Sequence, residues 1–592
     1  MTSLPPPAGV ETPAYKRAAP PGRIPDRTLI LLLLGAFAVL CVHGLIWDSP
    51  TVDEFTHLPA GLHYLETGRF ELGDRNPPLI KVLAALPPRL VLHPAVYTEA
   101  QVRNSGWYPW IYGTVFMEQN RPIFLKTYML GRLSIVGIVL LMGVLVYLWA
   151  RELYGRKAGL AALTFFAFCP TLIGHAHVVT IDAGGATFLL LALYLFYRFV
   201  REPSPGRLVL AGIGLGLAEI SKMTTLFLYP LFVILTVVCL AKGWRFPPRR
   251  TAEEGARGGV AASLGAVFLI FLISLLVIDS AYLFQGVGQR LGDYEFQSRF
   301  MKGVAGALPA GFPVPLPSAY MEGFDSIRLD TELGEFPNYL FGRWSREGTP
   351  VYFLVAFLFK TPLILVAALL AAPFLRIRRP PGEFFVWLPL IVLFASFSLF
   401  SLKVNYGIRH ILPTFPLVFI FASRWAAFLE DKGKRLRTAA AVALCLYPVS
   451  ALMATPDTLS YFNVLAGDRP DRILLDSNLD WGQGLRRVRA YMDREGLERV
   501  PLVYFGHVDP ALYGIQWGFP REGSGYQGPV VISANFLHGY AYATYAQGRL
   551  LPVPADAFTW VARYPRVEDL GGGMYVYQID GSPSAPAGAQ LQ

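Results

Sequence analysis

Residues 29–47 read LILLLLGAFAVLCVHGLIW, and this run contains no Asp, Glu, Lys or Arg. An α-helix needs about 20 apolar residues to cross the hydrocarbon core of a bilayer, so the run is long enough to span a membrane. It is also longer than the apolar region of a cleaved signal peptide, which has about 7 to 15 residues. We therefore interpret it as the first transmembrane helix.

The composition indicates that many such helices follow. The chain has 592 residues, of which 53% are hydrophobic and 16% are charged, against about 25% charged residues in soluble globular domains. The mean hydropathy is +0.41. These values exclude a disordered protein and argue against a purely soluble one. The net charge of +10 lies in short loops between apolar runs, so it does not indicate binding to nucleic acid.

Eleven apolar stretches are candidates for membrane spans, and the fifth of them is the shortest. They begin near Thr28, Tyr128, Ala158, Val178, Arg207, Thr224, Val260, Val351, Phe384, Ile411 and Thr438. An odd number of spans places the two termini on opposite sides of the membrane. The six short segments on the N-terminal side hold 23 Lys and Arg, whereas the three short loops on the other side hold 3. Because positive residues stay in the cytoplasm, we predict a multi-pass protein of the cell (inner) membrane with a cytoplasmic N-terminus and an extracytoplasmic C-terminus.

This topology divides the chain into three regions. Residues 1–27 form a Pro-rich, basic cytoplasmic segment, and residues 28–455 form a polytopic α-helical membrane domain. Large outer loops are expected at 48–126 and 280–350. Residues 456–592 are expected to form an extracytoplasmic α/β domain with a flexible end.

Four segments of this C-terminal region carry the evidence for the α/β domain. RILLDSNLDWGQGLRRVRAYM, which begins at Arg472, predicts a strand, a turn and an amphipathic helix. PLVYFG, VVISANF and GGGMYVYQI predict three further strands. The region holds 11 Lys and Arg against 14 Asp and Glu, which gives no indication of a nucleic-acid partner.

Directly after the first span, TVDEFTHLPAGLHYL places Asp53, Glu54 and His57 within a few residues of the outer membrane surface. The carboxylate pair could supply a general base, or it could bind a divalent ion together with the imidazole one helical turn later. Acidic residues also favour the first turn of a solvated helix. Position alone leaves the two interpretations equal.

The same loop continues with NPPLIKVLAALPPRL, which predicts a rigid turn and a short apolar helix that carries Lys81. A helix of this kind would lie in the membrane interface, with its lysine near a lipid phosphate. A lysine that only extends its charge towards water explains the same pattern.

The first short outer loop, IGHAHVVTIDAGGATF, contains His175, His177 and Asp182. An ionisable residue at the entrance of a span suggests function, and we favour Asp182 over the histidines. Metal binding is only weakly indicated, with His57, His177 and Asp182 as candidates, because an obligatory fourth ligand is lacking. The four cysteines lie in apolar segments without a CxxC pair and indicate no thiolate site.

Cations recur at the outer ends of later spans: Lys222, Lys360, and Arg409 with its neighbour His410. Each alone could anchor a helix at the interface. Together with the outer carboxylates they suggest a cavity that combines a base with phosphate-binding cations.

Several motifs occur in an order that resembles a known family. They are TVDEFTHLPAGLHYLETGRF, NPPLIK, GLGLAEISK, NYLFGRWSREGTPVYFLVAFLFKTPL, NYGIRHILPTFP, YFNVLAG and LDSNLDWGQGL. From about Thr51 to Gly506 the chain resembles the phospholipid-carrier-dependent glycosyltransferases, relatives of the dolichyl-phosphate-mannose protein mannosyltransferases in the GT-C superfamily. The combination is specific, although no single motif is.

The resemblance implies a GT-C-like fold with its active site at the outer membrane face and a polyprenyl-phosphate sugar as donor. It places the catalytic carboxylate at Asp53, with Glu54 beside it. It makes Lys222 and Lys360 candidates for binding the carrier phosphate. Bacterial relatives more often carry Glu-His-Pro-Pro where this chain has Arg75-Asn76-Pro77-Pro78, which removes two metal ligands.

From these observations we predict an inverting glycosyltransferase in which Asp53 activates a hydroxyl of a protein, glycan or lipid acceptor. Lys222, Arg409 and Lys360 would stabilise the departing phosphate, with Lys81, Asp182 and His410 as further substrate-binding candidates. The only cofactor that these residues suggest is a divalent metal ion. The alternative is a transporter or flippase with Asp182 and Lys222 as coupling residues. Trp481 could stack on a sugar, or it could pack on its own domain.

Overall fold

A computed structural model describes residues 25–73, 75–97, 109–246, 256–334, 337–377, 380–400, 402–546 and 548–580. The predicted cytoplasmic segment 1–27 and the predicted flexible end therefore lie almost entirely outside the described residues. Up to residue 455 the described chain is helical apart from its connections and one short hairpin. The helices are α1 (Asp26–Trp47), α2 (Glu54–Thr67), α3 (Leu79–Val91), α4 (Pro109–Gln119), α5 (Phe124–Tyr154), α6 (Arg156–Ala167), α7 (Pro170–Ala176), α8 (Ile181–Arg201), α9 (Pro205–Glu219), α10 (Leu228–Ala241), α11 (Ala256–Ala281), α12 (Arg299–Ala307), α13 (Ser318–Leu333), α14 (Tyr352–Lys360), α15 (Leu363–Ala371), α16 (Phe384–Phe400), α17 (Phe415–Ala422), α18 (Arg424–Phe428) and α19 (Lys434–Ala454).

In the described part of the chain, seven helices are long and apolar enough to cross a membrane. They are Asp26–Trp47, Phe124–Tyr154, Ile181–Arg201, Met223–Ala241, Gly259–Ala281, Ile408–Asp431 and Lys434–Ala454. Two bent pairs raise the number to nine if each pair is one span: α6 with α7, bent by 63°, and α14 with Leu363–Phe374, bent by 119°. The chain is thus a multi-pass membrane protein.

The predicted number of eleven spans is not reproduced by this criterion, although every predicted segment is helical. The two remaining segments are α9, with 15 residues, and α16, with 17 residues. At 1.5 Å per residue, 15 residues extend only about 22 Å, which is less than the roughly 30 Å of a hydrocarbon core. Hydropathy detects these helices but does not measure where they begin and end.

Helix α9 is short but closely packed. Ideal Cβ atoms added at Gly212 and Gly216 would lie 2.6 Å and 2.5 Å from the side chains of Ile273 and Val277 of α11. Such contacts are shorter than van der Waals separations, so only glycine allows the two helices to approach this closely. This packing brings the end of α9, and with it Lys222, into the interior of the helical region.

The first predicted outer loop is largely helical. Helices α2 and α3 pack against each other, and α3 also packs against α5, so this part of the chain fills space between the long helices. In the second predicted loop, the hairpin of β1 (Asn338–Leu340) and β2 (Arg343–Ser345) follows α12 and α13.

The C-terminal region contains a mixed five-stranded sheet in the order β4-β3-β5-β9-β8. Strand β3 pairs in parallel with β4 and β5, whereas β9 runs antiparallel to β5 and β8. Two further strands form a separate antiparallel hairpin. The elements are α20 (Leu485–Glu495), β3 (Arg499–Val503), β4 (Gln516–Gly518), β5 (Gly528–Ser533), α21 (Ala534–Leu537), β6 (Tyr542–Ala546), β7 (Arg549–Val553), β8 (Arg566–Gly571) and β9 (Met574–Ile579).

This arrangement confirms the predicted sheet-containing C-terminal region and the amphipathic helix α20. The strand predicted at the start of RILLDSNLDW is wrong. The segment instead forms two 3-10 turns, Pro470–Arg472 and Asp476–Asn478, with Asp476 in the left-handed region at φ 57°. A non-glycine residue with this φ cannot continue a strand, and the turn it makes directs the next residues towards the helical region.

Backbone hydrogen bonds join this turn to the segment after α1. The amide of Ser49 donates to the carbonyl of Gln483 at 3.0 Å, and the amide of Val52 donates to the carbonyl of Trp481 at 2.9 Å. Arg487 adds an ion pair with Asp48 at 2.9 Å. Residues 49–52 and 481–483, which are far apart in sequence, are therefore held against each other directly beside Asp53.

Candidate active site

A cavity of about 300 Å³ lies where α2, α8, α13 and the C-terminal region meet. Its wall combines charged groups with aromatic rings. The polar and charged residues include Asp53, His57, Arg75, Asn76, Lys81, Asp182, Lys222, Asp330, Arg409, His410 and Asp476. The aromatic residues are Trp110, Phe397, Tyr406, Trp481, Phe505, Tyr540 and Tyr542. Seven of the predicted site residues are therefore brought together: Asp53, His57, Lys81, Asp182, Lys222, Arg409 and His410.

Asp53 and Arg409 form an ion pair in this cavity. Asp53 precedes the first residue of α2, and Arg409 lies in the 3-10 helix Ile408–Thr414. Nη1 of Arg409 donates to Oδ2 of Asp53. Their side chains are 22% and 14% exposed, so the pair is accessible from the cavity but largely removed from bulk water. Charge interactions at such a site are stronger than at an open surface.

A second pair lies beside the first. Nζ of Lys222, which follows α9, donates to Oδ1 of Asp182 in the first turn of α8. The other carboxylate oxygen of Asp182 is 3.9 Å from Nη1 of Arg409. A Cβ atom added at Gly185 would lie 2.9 Å from Cβ of Lys222, so the absence of a side chain there lets Lys222 reach Asp182. Two cations and two carboxylates thus form one connected cluster.

Arg409 also contacts the C-terminal region. Its guanidinium group lies over the indole ring of Trp481, 4.5 Å from the ring centroid. A guanidinium over the face of tryptophan is attracted by the electron-rich ring. Trp481 is 2% exposed, and its backbone is fixed by Val52. The indole therefore helps to orient the cation of the cluster.

Asp476 adds a third carboxylate to the cavity wall. Its Oδ2 accepts from the hydroxyl of Tyr540 at 3.1 Å, and its Oδ1 accepts from the amide of Ser477. Burial raises the pKa of Asp476 to about 6. The residue holds an uncommon left-handed backbone conformation at the cavity, and such conformations cluster at functional sites.

Lys81 is buried within the protein, so it lies neither at a lipid phosphate nor extended towards water, the two positions that the sequence suggested. Its Nζ donates to the carbonyls of Gly73 at 2.5 Å and Asn76 at 2.7 Å. A third bond goes to the hydroxyl of Tyr64 at 3.1 Å. Its place in the cavity wall keeps it a candidate for binding substrate, but its ammonium group also ties the Asn-Pro-Pro turn to α2 and α3.

Glu54 points away from the cavity. Arg132 of α5 donates to both of its carboxylate oxygens, at 2.8 Å and 2.7 Å. The amides of Thr51 and Val179 donate to the same two oxygens, at 2.9 Å and 2.7 Å. Glu54 is fully buried with all of its acceptor directions used. This geometry argues against the predicted catalytic role and makes Glu54 a residue that positions its neighbour Asp53.

Lys360 also lies outside the cavity wall. Its Nζ donates to the carbonyls of Leu459, at 3.0 Å, and Asn478, and it lies 4.7 Å from the ring centroid of Phe462. The side chain is fully buried. Contrary to the predicted contact with the carrier phosphate, Lys360 joins the end of α14 to the C-terminal region.

The predicted metal candidates do not form a metal-binding group. The ring nitrogens of His177 bond to Asp48 and to the carbonyl of Ile173, both at 2.8 Å. His57 lies within 3.4 Å of the Asn76 amide and the Val179 carbonyl, and burial lowers its pKa to about 4. Among the residues that the structure describes, no three His, Cys, Asp or Glu side chains are arranged to hold a metal ion.

His410 is the remaining predicted residue, and it lines the cavity. Its Nε2 is buried and makes no hydrogen bond within the described ranges. A buried nitrogen without a partner is costly, so this atom is available to a ligand.

The aromatic part of the wall was not predicted, apart from Trp481. The rings of Tyr540 and Tyr542 are nearly parallel, with centroids 5.7 Å apart, and Tyr540 is also stacked against Trp344. Tyr540 and Tyr542 are two residues apart where β6 begins, which a period-two pattern of aromatic residues could have indicated. Nothing in the local sequence indicates which distant surface such rings would face.

Comparison with known families supports the sequence motifs. Residues 106–247 match the family model described as dolichyl-phosphate-mannose-protein mannosyltransferase. The matched segment covers about a quarter of the chain. It contains Asp182 and Lys222, whereas Asp53, Arg409 and Trp481 lie outside it. Over these residues, the match confirms the predicted resemblance to the dolichyl-phosphate-mannose protein mannosyltransferases.

Several solved structures are similar to the chain. ArnT from Cupriavidus metallidurans bound to undecaprenyl phosphate is 12% identical, with 94% of this chain and 99% of that chain covered and a TM-score of 0.46. The protein O-mannosyltransferase Pmt1-Pmt2 complex of S. cerevisiae bound to its sugar donor is 20% identical, over 43% of this chain and 33% of that chain, with a TM-score of 0.32. The archaeal oligosaccharyltransferase AglB from Archaeoglobus fulgidus, in complex with an inhibitory peptide and a dolichol-phosphate, is 12% identical, over 72% and 55% of the two chains, with a TM-score of 0.45. No curated protein sequence matches the chain.

Proposed function

We propose that the chain is an inverting membrane glycosyltransferase that moves a sugar from a polyprenyl-phosphate donor to an acceptor hydroxyl. The observation that carries this proposal is the cluster in which the carboxylate of Asp53 and the cations Arg409 and Lys222 meet in one cavity. Transfer from a phosphate-linked sugar requires both a base and a site for the departing phosphate. The match of residues 106–247 to a family named for a dolichyl-phosphate-linked donor supports the same class of donor.

In this reaction Asp53 accepts the proton of the acceptor hydroxyl. The acceptor oxygen forms a bond to the anomeric carbon, and the bond from that carbon to the phosphate oxygen breaks. The electron pair of the broken bond leaves with the polyprenyl phosphate, and attack from the opposite face inverts the anomeric configuration. Asp53 suits this role because its carboxylate lines the cavity, whereas the adjacent Glu54 is turned into the protein.

Arg409 and Lys222 bind the phosphate in this proposal. In the absence of donor, Arg409 pairs with Asp53 and Lys222 pairs with Asp182. A donor phosphate would take over some of the hydrogen bonds that the two cations make to these carboxylates. Arginine presents several N–H groups in one plane and can bond to a carboxylate and a phosphate at the same time. His410, with its unpartnered Nε2, and Lys81 are assigned to the sugar or its phosphate.

We place the reaction on the extracytoplasmic side of the cell membrane, with the N-terminus in the cytoplasm. The distribution of Lys and Arg among the short loops supports this orientation. The donor would enter from the bilayer, and the acceptor would be a protein, a glycan or a lipid. No step of the reaction is assigned to a metal ion, because the predicted ligands His57, His177 and Asp182 bond to protein groups instead.

The test uses purified full-length protein in liposomes with a panel of polyprenyl-phosphate sugars and membrane extract as acceptor. Release of free polyprenyl phosphate is measured for the wild type, for Asp53→Asn and for Asp556→Asn. Asp556 is an exposed residue outside the cavity and serves as the control. We expect release with at least one donor, its loss in Asp53→Asn and its retention in Asp556→Asn. Full activity of a folded Asp53→Asn protein would contradict the assignment of the base.

A further inference from the structure

A second cavity, of about 520 Å³, lies at the opposite end of the helical region. Its wall includes Glu152, Tyr197, Arg201, Trp244 and Arg245. These residues come from the ends of α5 and α8 and from the segment after α10. None of them takes part in the proposed transfer reaction.

The helices that connect the two cavities fix their separation. Asp182 lines the first cavity at the start of α8, and Arg201 lines the second at its end. At 1.5 Å per residue, this part of α8 is about 28 Å long, close to the roughly 30 Å of a hydrocarbon core. Helix α16 also runs between them, because Gly382, two residues before its start, lines the second cavity and Phe397, near its end, lines the first. The second cavity therefore lies at the other membrane face, which the Lys and Arg distribution predicts to be cytoplasmic.

Two guanidinium groups give this cavity free donors. Nη1 of Arg201 donates to the hydroxyl of Tyr197 at 2.9 Å. Nη1 of Arg245 donates to the carbonyls of Leu240, at 2.9 Å, and Trp244, at 2.8 Å, which offsets the partial negative charge at the end of α10. The remaining N–H groups of both arginines have no hydrogen-bond partner in the described part of the chain.

The single carboxylate of the wall does not cancel these charges. Oε1 of Glu152 accepts from Nη1 of Arg198 and from the hydroxyl of Tyr194, both at 2.7 Å. Its hydrogen bonds therefore go to groups outside the cavity wall, and the wall keeps a net positive charge because it carries two arginines and one glutamate. Trp244 and Tyr197 add rings of the kind that favours the headgroup level of a bilayer.

We propose that this cavity binds the phosphate of an anionic phospholipid from the adjacent leaflet. Two arginine forks match the geometry of a phosphate diester, and basic pockets between membrane helices on the cytoplasmic side are suited to acidic headgroups. The volume lies within the usual range for small-ligand sites. The inference is independent of the transfer reaction, because it rests on the opposite membrane face.

The test is native mass spectrometry of the purified, delipidated full-length protein titrated with phosphatidylglycerol or phosphatidylcholine. The test variant is Arg201→Gln with Arg245→Gln. The control variant is Arg435→Gln with Arg437→Gln, two exposed arginines at the same predicted face. We expect one phosphatidylglycerol to bind at least tenfold more tightly than phosphatidylcholine, with this preference lost in the test variant and kept in the control.

Two further measurements make the result decisive. Arg201→Lys keeps the charge but removes the fork, and we expect it to lose part of the preference while its thermal unfolding stays that of the wild type. Inorganic phosphate is added as a competitor. If it displaces the lipid completely at low millimolar concentration, the cavity is a site for soluble phosphate and the assignment to a lipid is overturned. Equal binding of the two lipids, or an unchanged preference in the test variant, would also overturn it.

Discussion

The guanidinium group of Arg409 lies over the indole ring of Trp481, 4.5 Å from its centroid. Arg409 belongs to the helical region and Trp481 to the segment that leads into the C-terminal sheet. The cation that pairs with Asp53 is therefore oriented by a residue outside the membrane helices. This contact makes the C-terminal region part of the candidate active site rather than an attachment to it.

Substitution of Trp481 is expected to lower activity, and to lower it more when the new side chain has no aromatic face for Arg409. A cation over an aromatic face contributes about 0.5 to 2 kcal/mol, so we expect the rate of polyprenyl-phosphate release to decrease in the order wild type, Trp481→Phe, Trp481→Leu. Each variant is compared at equal folded concentration. Trp560→Leu, which changes a partly buried tryptophan outside the cavity, is the control. Equal rates in Trp481→Leu and the wild type would show that the stacking has no role in catalysis.

Arg409→Lys is expected to behave as a strong loss of function although it keeps the charge. A lysine cannot contact Asp53 and cover the Trp481 ring at the same time, because its ammonium group is a compact point charge. We expect kcat/KM for the donor to fall by about tenfold or more, equivalent to roughly 1.4 kcal/mol of transition-state stabilisation. The exposed Arg472→Lys variant should retain the wild-type value. A lysine variant with full kcat/KM would mean that charge alone is sufficient at this position.

Glu54→Gln is expected to lower mainly the stability of the protein, whereas Asp53→Asn is expected to lower mainly its activity, although the two residues are adjacent. Glu54 is fully buried against Arg132, and loss of one partner of a buried ion pair costs about 3 to 5 kcal/mol. Thermal unfolding in detergent should therefore shift strongly downwards for Glu54→Gln, whereas Asp53→Asn should unfold close to the wild type but lack activity. The control is Glu66→Gln, which breaks the exposed ion pair with Arg89 and should cost about 1 kcal/mol or less. Normal stability of Glu54→Gln would contradict its assignment as a positioning residue.

The stability of the C-terminal region should depend on the ionisation of Asp480. Burial raises the pKa of Asp480 to about 7, whereas an unfolded aspartate titrates near pH 3.9. The folded state therefore favours the protonated form. Protonated Asp480 therefore contributes its full stabilisation below about pH 4, and this contribution is lost as the pH rises through about 7.

Asp480→Asn removes this titration while it preserves the shape of the side chain. Between pH 5 and pH 8, the unfolding temperature of the wild type should decrease relative to that of Asp480→Asn. Asp493→Asn, an exposed substitution on α20, should follow the wild type. Parallel pH profiles for the wild type and Asp480→Asn would show that Asp480 does not titrate in this range.

The membrane character and the residues of the charged cluster could be predicted because both leave local signals. Apolar runs of sufficient length mark Asp26–Trp47 and six other helices, and rare charges next to such runs mark Asp53, Asp182, Lys222 and Arg409. Each of these residues stands at the end of a helix that leads into the same cavity. A cation or carboxylate at the end of a span has few neighbours to neutralise it, so convergence of several such ends predicts a common site.

The roles of individual side chains could not be predicted in the same way. Glu54 and Asp53 are neighbours in sequence, yet only the three-dimensional position of Arg132 decides that Glu54 is turned inwards. Lys360 has the same local pattern as Lys222, but carbonyl groups of the C-terminal region occupy its ammonium group. The strand predicted near Asp476 is absent because this residue is left-handed, and its amide and carboxylate bond to Asn535 and Tyr540, which are distant in sequence.

The hydrogen bonds that place residues 49–52 beside residues 481–483 have a consequence for the biosynthesis of the protein. A ribosome completes the segment around Asp53 long before it reaches Trp481, since chains are made at about 5 to 20 residues per second. During this interval the early helices can insert into the membrane, but the wall of the cavity is still missing. The nascent protein would then be unable to react with lipid-linked sugar until its last region has folded and docked against the early helices, so transfer activity would appear only after the whole chain is assembled.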